Sequence, residues 1–198
     1  MSNLNEKMVS LGTQRSVIRE LFEFGKKRAA EIGAENVFDF SIGNPSVPAP
    51  ESVNRTAVSF LSEMDPVVLH GYTSAQGDAG VRAMLADSVN RRFHTSYTAD
   101  NFYMSVGAAA ALCCCFHGLC NQGDEVVIFA PYFPEYTVFA QGAGAKPVIV
   151  PADTKAFQID FDALRQVLTP AVKAVVVNSP NNPSGAVYSE ETVKKLAG

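Results

Sequence analysis

Residues 171–185 read AVKAVVVNSPNNPSG, an apolar run that passes directly into a loop set by Pro180, Pro183 and Gly185. A continuous, β-branched run of this kind predicts a strand buried on both faces of a parallel sheet. The loop after it is more than a chain reversal, for which one proline and one glycine suffice. Here two prolines fix the backbone and Gly185 releases it, which holds an asparagine amide rigidly at the sheet edge.

Outward from that loop the same alternation repeats. EVVIFAP (125–131) and KPVIVPA (146–152) read as strands, with YFPEYTVFAQGAGA (132–145) as the helix between them. DFDALRQVLT (160–169) reads as a helix with Asp160 at its N-cap. Upstream, FYMSVGAAAALCCCFHGLC (102–120) predicts a short strand that turns at Gly107 straight into a helix, and residues 121–124 turn the chain into the next strand. Downstream, SEETVKKLAG opens a helix at Ser189, with Glu190 and Glu191 where the helix dipole favours negative charge. A full capping box is absent, because Thr192 stands three residues after Ser189. Alternating strands and helices predict an α/β domain: a mostly parallel sheet with helices on both faces. Four strands after Pro50 and a helix that has barely begun at Gly198 predict an incomplete sheet.

Before this domain, residues 14–32 form an amphipathic helix with Val17, Leu21 and Phe24 at helical spacing, widened by Ile18, Phe22 and Ala29. VFDFSIG (37–43) reads as a short strand. Prolines 45, 48 and 50 force an extended chain and mark the domain boundary, between residues 1–47 and 48–198. Helices are predicted at 51–64 and 78–94, joined by a loop around Gly71–Gly77. The chain has 198 residues with a net charge of −4, which gives no footprint for nucleic acid or an anionic membrane surface. No apolar run approaches the ~20 residues of a membrane helix, and the polar N-terminus lacks a signal peptide. Cytoplasmic residence is expected. Cys113, Cys114 and Cys115 point three ways round one helix, so they read as small apolar packing residues rather than a metal or redox site.

Three strand ends carry candidate chemistry. Small residues at Ser105-Val-Gly-Ala-Ala109 let backbone N–H groups approach an anion at a helix N-terminus. Pro131-Tyr-Phe-Pro-Glu-Tyr136 offers an aromatic face beyond the carboxyl end of a strand, where open α/β sheets bind ligands. The third is the asparagine loop. A phosphate cradle, a ring platform and an amide donor are what a phosphorylated aromatic cofactor requires.

NSPNNPSG is similar to the N-x-P-x-N-P-[ST]-G signature of class I/II aminotransferases, pyridoxal 5'-phosphate (PLP) enzymes of fold type I. SVGAAAAL resembles the family's phosphate turn, PYFPEY its ring-stacking segment, SIGNPSVPAP its N-terminal substrate loop, and GYTSAQGDAGVRAML its Tyr…Gly…[LV]-Arg segment. The resemblance runs from about residue 14 to 198. It implies a three-layer α/β/α large domain, here its first half, preceded by a helical arm and part of the small domain. It implies that backbone amides of Gly107, Ala108 and Ala109 hold the PLP phosphate, that Phe133 stacks on the ring, and that Asn182 donates to the ring's phenolic oxygen. Tyr72 would reach the phosphate of the partner subunit in a homodimer, and Gly43 would lend its N–H to the substrate carboxylate.

The implied reaction moves an amino group between an amino acid, with aspartate the candidate, and a 2-oxo acid. The sequence departs from the family in having Ala109 where many relatives carry Ser or Thr. The family's Schiff-base lysine, its aspartate for the pyridine nitrogen and its carboxylate-binding arginine all fall after residue 198, so no catalytic residue is expected here and this polypeptide alone is expected not to transaminate. Alternatives are a PLP-dependent carbon–sulfur lyase on the same scaffold, a non-catalytic fragment, or the effector domain of a transcription regulator. The last would require a basic DNA-binding module upstream of the match.

Overall fold

The computed structural model describes residues 4–13, 17–41, 43, 47–153 and 155–198, which divide into two units, Met1–Tyr72 and Thr73–Gly198. No helix among the described residues is long and apolar enough to cross a membrane.

The first unit holds α1 (Glu6–Thr13), α2 (Val17–Ile32), α3 (Glu51–Glu63) and α4 (Pro66–His70). The helix expected over 14–32 is α2, with residues 14–16 outside the described ones. Its apolar stripe is uncovered within the unit: Val17, Ile18, Leu21 and Phe24 are all exposed. The short α4 escaped the sequence reading, although Pro66 suits a first turn and Asp65 caps it by accepting from the N–H groups of Val67 and Val68. The strand expected over 37–43 is absent among the described residues, and Ile42, Asn44, Pro45 and Ser46 lie outside them. Strand geometry needs a neighbour to take its N–H and C=O groups. Here the Ser41 N–H instead donates to the Asp39 carboxylate at 2.8 Å, an Asx turn that bends the chain and leaves Phe38 and Phe40 exposed.

The second unit carries the sheet. Its elements in order are α5 (Ala79–Phe93), α6 (Ala108–Leu119), β1 (Glu125–Phe129), α7 (Glu135–Gly142), β2 (Lys146–Val150), α8 (Phe161–Val167), β3 (Val172–Val176) and α9 (Glu190–Ala197). The strands lie in the order β2-β1-β3 and are all parallel. Side chains of β1 alternate between two cores, as strand geometry dictates. Val126 and Ile128 pack with Phe116 of α6 and Ala140 of α7 on one face. Val127 and Phe129 pack with Val150, Ile159 and Leu164, the last from α8, and Leu196 of α9 adds to that face. The result is three layers, helix–sheet–helix.

Two strand expectations are corrected. Residues 102–105 are extended but join no sheet, and the hydrogen bond that anchors them runs from the Met104 N–H to the Gln76 carbonyl at 3.0 Å. Gln76 and Gly77 lie against Met104, but among the described residues that single bond does not extend into a ladder. The run 171–180 is a strand only over Val172–Val176, and it is not buried on both faces. Among the described residues it pairs with β1 alone; Lys173 and Val175 are exposed on one face, and Val172, Ala174 and Val176 are half-buried on the other. The strand buried on both faces is β1.

Capping matches the sequence reading closely. Asp160 accepts from the N–H groups of Asp162 and Ala163, and Ser189 accepts from that of Thr192. The missing capping-box partner is replaced from afar. Gln158 Oε1 accepts from the Ser189 N–H and the Thr192 hydroxyl, both at 3.0 Å, and its Nε2 donates to the Val187 carbonyl at 3.1 Å. Arg82, 7% exposed, ties the entry to α5 to the turn at 99–101 by donating to the carbonyls of Gly77 (3.3 Å) and Ala99 (2.8 Å). Those bonds, with the Asp100 carboxylate 3.8 Å from the guanidinium, make burial of its charge tolerable.

The core argument predicts that Ile128→Ala costs about 2–5 kcal/mol, whereas Val175→Ala on the edge strand costs no more than about 1 kcal/mol, read from urea midpoints. Burial beside Phe129, ring edge to face at 6.5 Å, raises the pKa of Tyr188 above the ordinary tyrosine value. A raised folded-state pKa means that the associated stability is intact below the unfolded value of about 10 and is lost as pH climbs through the folded one. Tyr188→Phe should therefore flatten the alkaline loss of stability, while an unchanged profile would count against the burial of that hydroxyl.

Candidate functional site

Chain direction decides where the site lies. Since α6 packs on β1 and runs into it through the tight turn at 121–124, the two are antiparallel. The N-terminus of α6 therefore lies toward the carboxyl ends of the strands, the edge where β1 and β3 also release their loops.

That helix end is open. Gly107 is its N-cap, at φ 94°, with no side chain capping it. The N–H groups of a first helical turn have no acceptor within the helix. In α4, α5, α8 and α9 an Asp or Ser side chain takes this role, from Asp65, Asp78, Asp160 and Ser189. At Gly107, Ala108 and Ala109 the donors face solvent instead, and all three residues are exposed. Ser105 turns its hydroxyl away, onto the Gly107 carbonyl at 3.1 Å. Such an end, with the helix dipole behind it, favours an anion.

After β1 the chain turns through a cis Ala130–Pro131 bond to Phe133 and into α7. Tyr132 and Tyr136 pack against the first core, while Phe133 is half-buried, its ring edge-on to Tyr136 at 5.6 Å. The asparagine loop is closed by backbone bonds, Asn181 N–H to Ala186 carbonyl at 2.8 Å and Gly185 N–H to Asn181 carbonyl at 2.7 Å. The Tyr188 N–H donates to the Ser179 hydroxyl at 2.9 Å. With its amide turned so that oxygen faces donors, Asn178 accepts from the Asn182 N–H (2.9 Å) and from the Tyr136 hydroxyl (3.3 Å). Asn181 Nδ2 donates to the Pro131 carbonyl at 2.9 Å. The side chain of Asn182 is exposed and makes no hydrogen bond among the described residues.

Phe133 and Asn182 are thus brought together by bonds between their loops, and the open end of α6 lies at the same sheet edge. Tyr72 and Gly43 belong to the other unit, where both are exposed. Sequence reasoning overlooked Tyr136, Asn178 and Asn181 as the ties between loops. Asn178 stands inside the quoted signature and was within reach. Nothing local marks the acceptor that Asn181 finds 50 residues upstream.

The cysteines do not behave as buried packing residues throughout. Cys114 and Cys115 are exposed and Cys113 and Cys120 half-buried, all as free thiols. Cys120, at the end of α6, packs against the first core with Leu112 and Phe116, and Cys114 and Cys115 take no part in it.

A parallel sheet with helices on both faces binds at the carboxyl edge, and here that edge offers backbone donors, an aromatic face and a free amide. Over residues 35–198 the sequence matches the description Aminotransferase class I and II, and the chain belongs to that family. It is 31% identical over 191 residues to an aspartate aminotransferase of Thermotoga maritima, covering 96% of this chain and 50% of that protein. It is 35% identical over 161 residues to the aspartate/prephenate aminotransferase of Thermus thermophilus, covering 78% of this chain and 40% of that protein. Among solved structures, an amino transferase of Eubacterium rectale superposes with a TM-score of 0.95 at 57% identity, over 99% of this chain and 50% of that one. The aspartate aminotransferase of Thermus thermophilus with maleate gives 0.81 at 30% identity, over 100% and 50%. The chain therefore has the aspartate aminotransferase fold and spans about half the length of these relatives.

Two glycines of α6 should respond to alanine with opposite signs, although a Cβ has open space at each. Gly107→Ala should lose about 1–2 kcal/mol, because its φ of 94° disfavours any side chain. Gly118→Ala, inside the helix, should gain up to about 1 kcal/mol from helix propensity. Chemical denaturation of both variants checks this, and equal signs would refute the left-handed geometry at Gly107.

Proposed function

We propose that these residues form the cofactor-anchoring half of a PLP-dependent aminotransferase that moves an amino group between an amino acid, aspartate being the candidate, and a 2-oxo acid. The observation that carries this reading is the open N-terminus of α6, with donors at Gly107, Ala108 and Ala109, on the sheet edge that presents Phe133 and Asn182. The residues fit PLP in kind. A phosphate suits uncapped donors at a helix end, a pyridine ring suits an aromatic face, and a phenolic oxygen suits a free amide donor.

In this reading the N–H groups of 107–109 fix the phosphate, and Ala109 supplies no hydroxyl to it. Phe133 covers one ring face and excludes water there. Asn182 Nδ2 donates to the phenolic oxygen, and Gly43 offers its N–H to the substrate carboxylate. Tyr72 serves the phosphate bound by the partner subunit of a homodimer. Bound PLP supplies an electron sink that eases loss of the substrate's α-proton. The residue that moves that proton is a lysine outside these 198, since none of the eight here matches the family's lysine motif. Residues 1–47 serve as arm and part of the small domain, and 48–198 as the start of the large one. Free thiols suit a reducing compartment, the cytoplasm.

Intact mass after PLP and borohydride tests the assignment. The 198-residue chain should stay at 21.2 kDa, and the whole protein should gain one reduced PLP. A stoichiometric adduct on any of the eight lysines would overturn the placement of the lysine. Turnover by the whole protein should require a 2-oxo acid acceptor. Turnover without one would mark a lyase.

A further inference from the structure

Asn181 occupies a position that the family signature leaves open, yet it is the most heavily bonded residue of its loop. Its backbone N–H and carbonyl close the loop on Ala186 and Gly185 at 2.8 and 2.7 Å. Both hydrogens of Nδ2 are used, one on the Ser184 hydroxyl at 2.8 Å and one on the Pro131 carbonyl at 2.9 Å. The second crosses from the loop after β3 to the turn after β1. On either side of that bond stand the two groups that matter to the ring, since Asn182 is the next residue and Phe133 lies two beyond Pro131.

Among the described residues one other polar bond links these segments, from the Tyr136 hydroxyl in the first turn of α7 to Asn178 at 3.3 Å. That exceeds the ordinary range for an O–H···O bond, whereas 2.9 Å is the usual length for N–H···O. The Asn181 crossing is the stronger tie. A donor amide aimed at a ring oxygen has to be held to a fraction of an ångström, and the exposed Asn182 side chain has no bond of its own among the described residues to do so.

We infer that Asn181 is a positioning residue for the cofactor ring, setting the separation between the Phe133 face and the Asn182 amide through its bond to the Pro131 carbonyl. The inference rests on the proposed PLP site.

The test uses the whole protein with PLP and compares Asn181→Leu, which keeps the shape and removes both donors, and Asn181→Ala with Asn182→Ala. Three quantities are read: the PLP dissociation constant, the pH midpoint of the bound cofactor's visible colour change, and the thermal midpoint of the cofactor-free protein. Loss of the crossing should weaken PLP by about 3- to 10-fold, the worth of one hydrogen bond. It should also move the colour midpoint in the same direction as Asn182→Ala, with the cofactor-free thermal midpoint nearly unchanged. A lower thermal midpoint with wild-type colour midpoint would make Asn181 a scaffold residue only and overturn the inference while leaving the site intact. If Asn182→Ala itself changes neither affinity nor colour, the PLP reading of this edge fails, and the inference with it.

Discussion

Burial of β1 on both faces is the constraint from which the rest of the second unit follows. Its alternating side chains must each meet a helix layer, so α6 and α7 are drawn to one face and α8 and α9 to the other. Because the sheet is parallel, every helix must run back against it, and that puts the start of α6 and the exits of β1 and β3 on a single edge. No residue of the candidate site contributes much to this core. The site is a by-product of chain direction, which is why groups 75 residues apart in sequence, Gly107 and Asn182, share an edge.

Capping divides the helix ends into closed and open. Where a side chain fills the first turn, as at Asp78 or Asp160, the end is satisfied and has nothing to offer a ligand. At α6 the same backbone donors stay free because Gly107 has no side chain and Ser105 points elsewhere. Free donors cost little only while exposed to water, and all three residues are exposed. Lack of a side-chain cap is not the whole difference, since α3 and α7 begin at Pro50 and Pro134 without one; at α6 it is joined to a glycine N-cap and exposed donors at the carboxyl edge of the sheet.

Much of this was legible in the sequence, and the failures have a common cause. Caps at Asp160 and Ser189, the helix start at Gly107 and the helix–strand alternation from 108 onward depend on neighbours within a few residues, and each stands as read. The expected strands at 37–43 and before Gly107 depend on a partner, which composition cannot show, and the described residues at both places join no sheet. The run 171–180 reads as buried on both faces because it is mostly apolar. Among the described residues it pairs with β1 alone, and pairing is something its own residues do not encode. Gln158 is the sharpest case: a local rule found the capping box incomplete, and a glutamine 31 residues upstream completes it.

The open end of α6 also bounds what it can do. A helix N-terminus is worth about half a positive charge, against the −1.5 to −2 that a phosphate monoester carries at neutral pH. In the proposed reading, donors at Gly107, Ala108 and Ala109 would give direction and position, but no cationic side chain belongs to that turn. With Ala109 offering no hydroxyl, a phosphate held there keeps most of its charge uncompensated by the turn itself. Tight retention then depends on donors from outside residues 107–109. In the proposed reading the turn would direct a phosphate, and its charge would have to be met by groups outside residues 107–109.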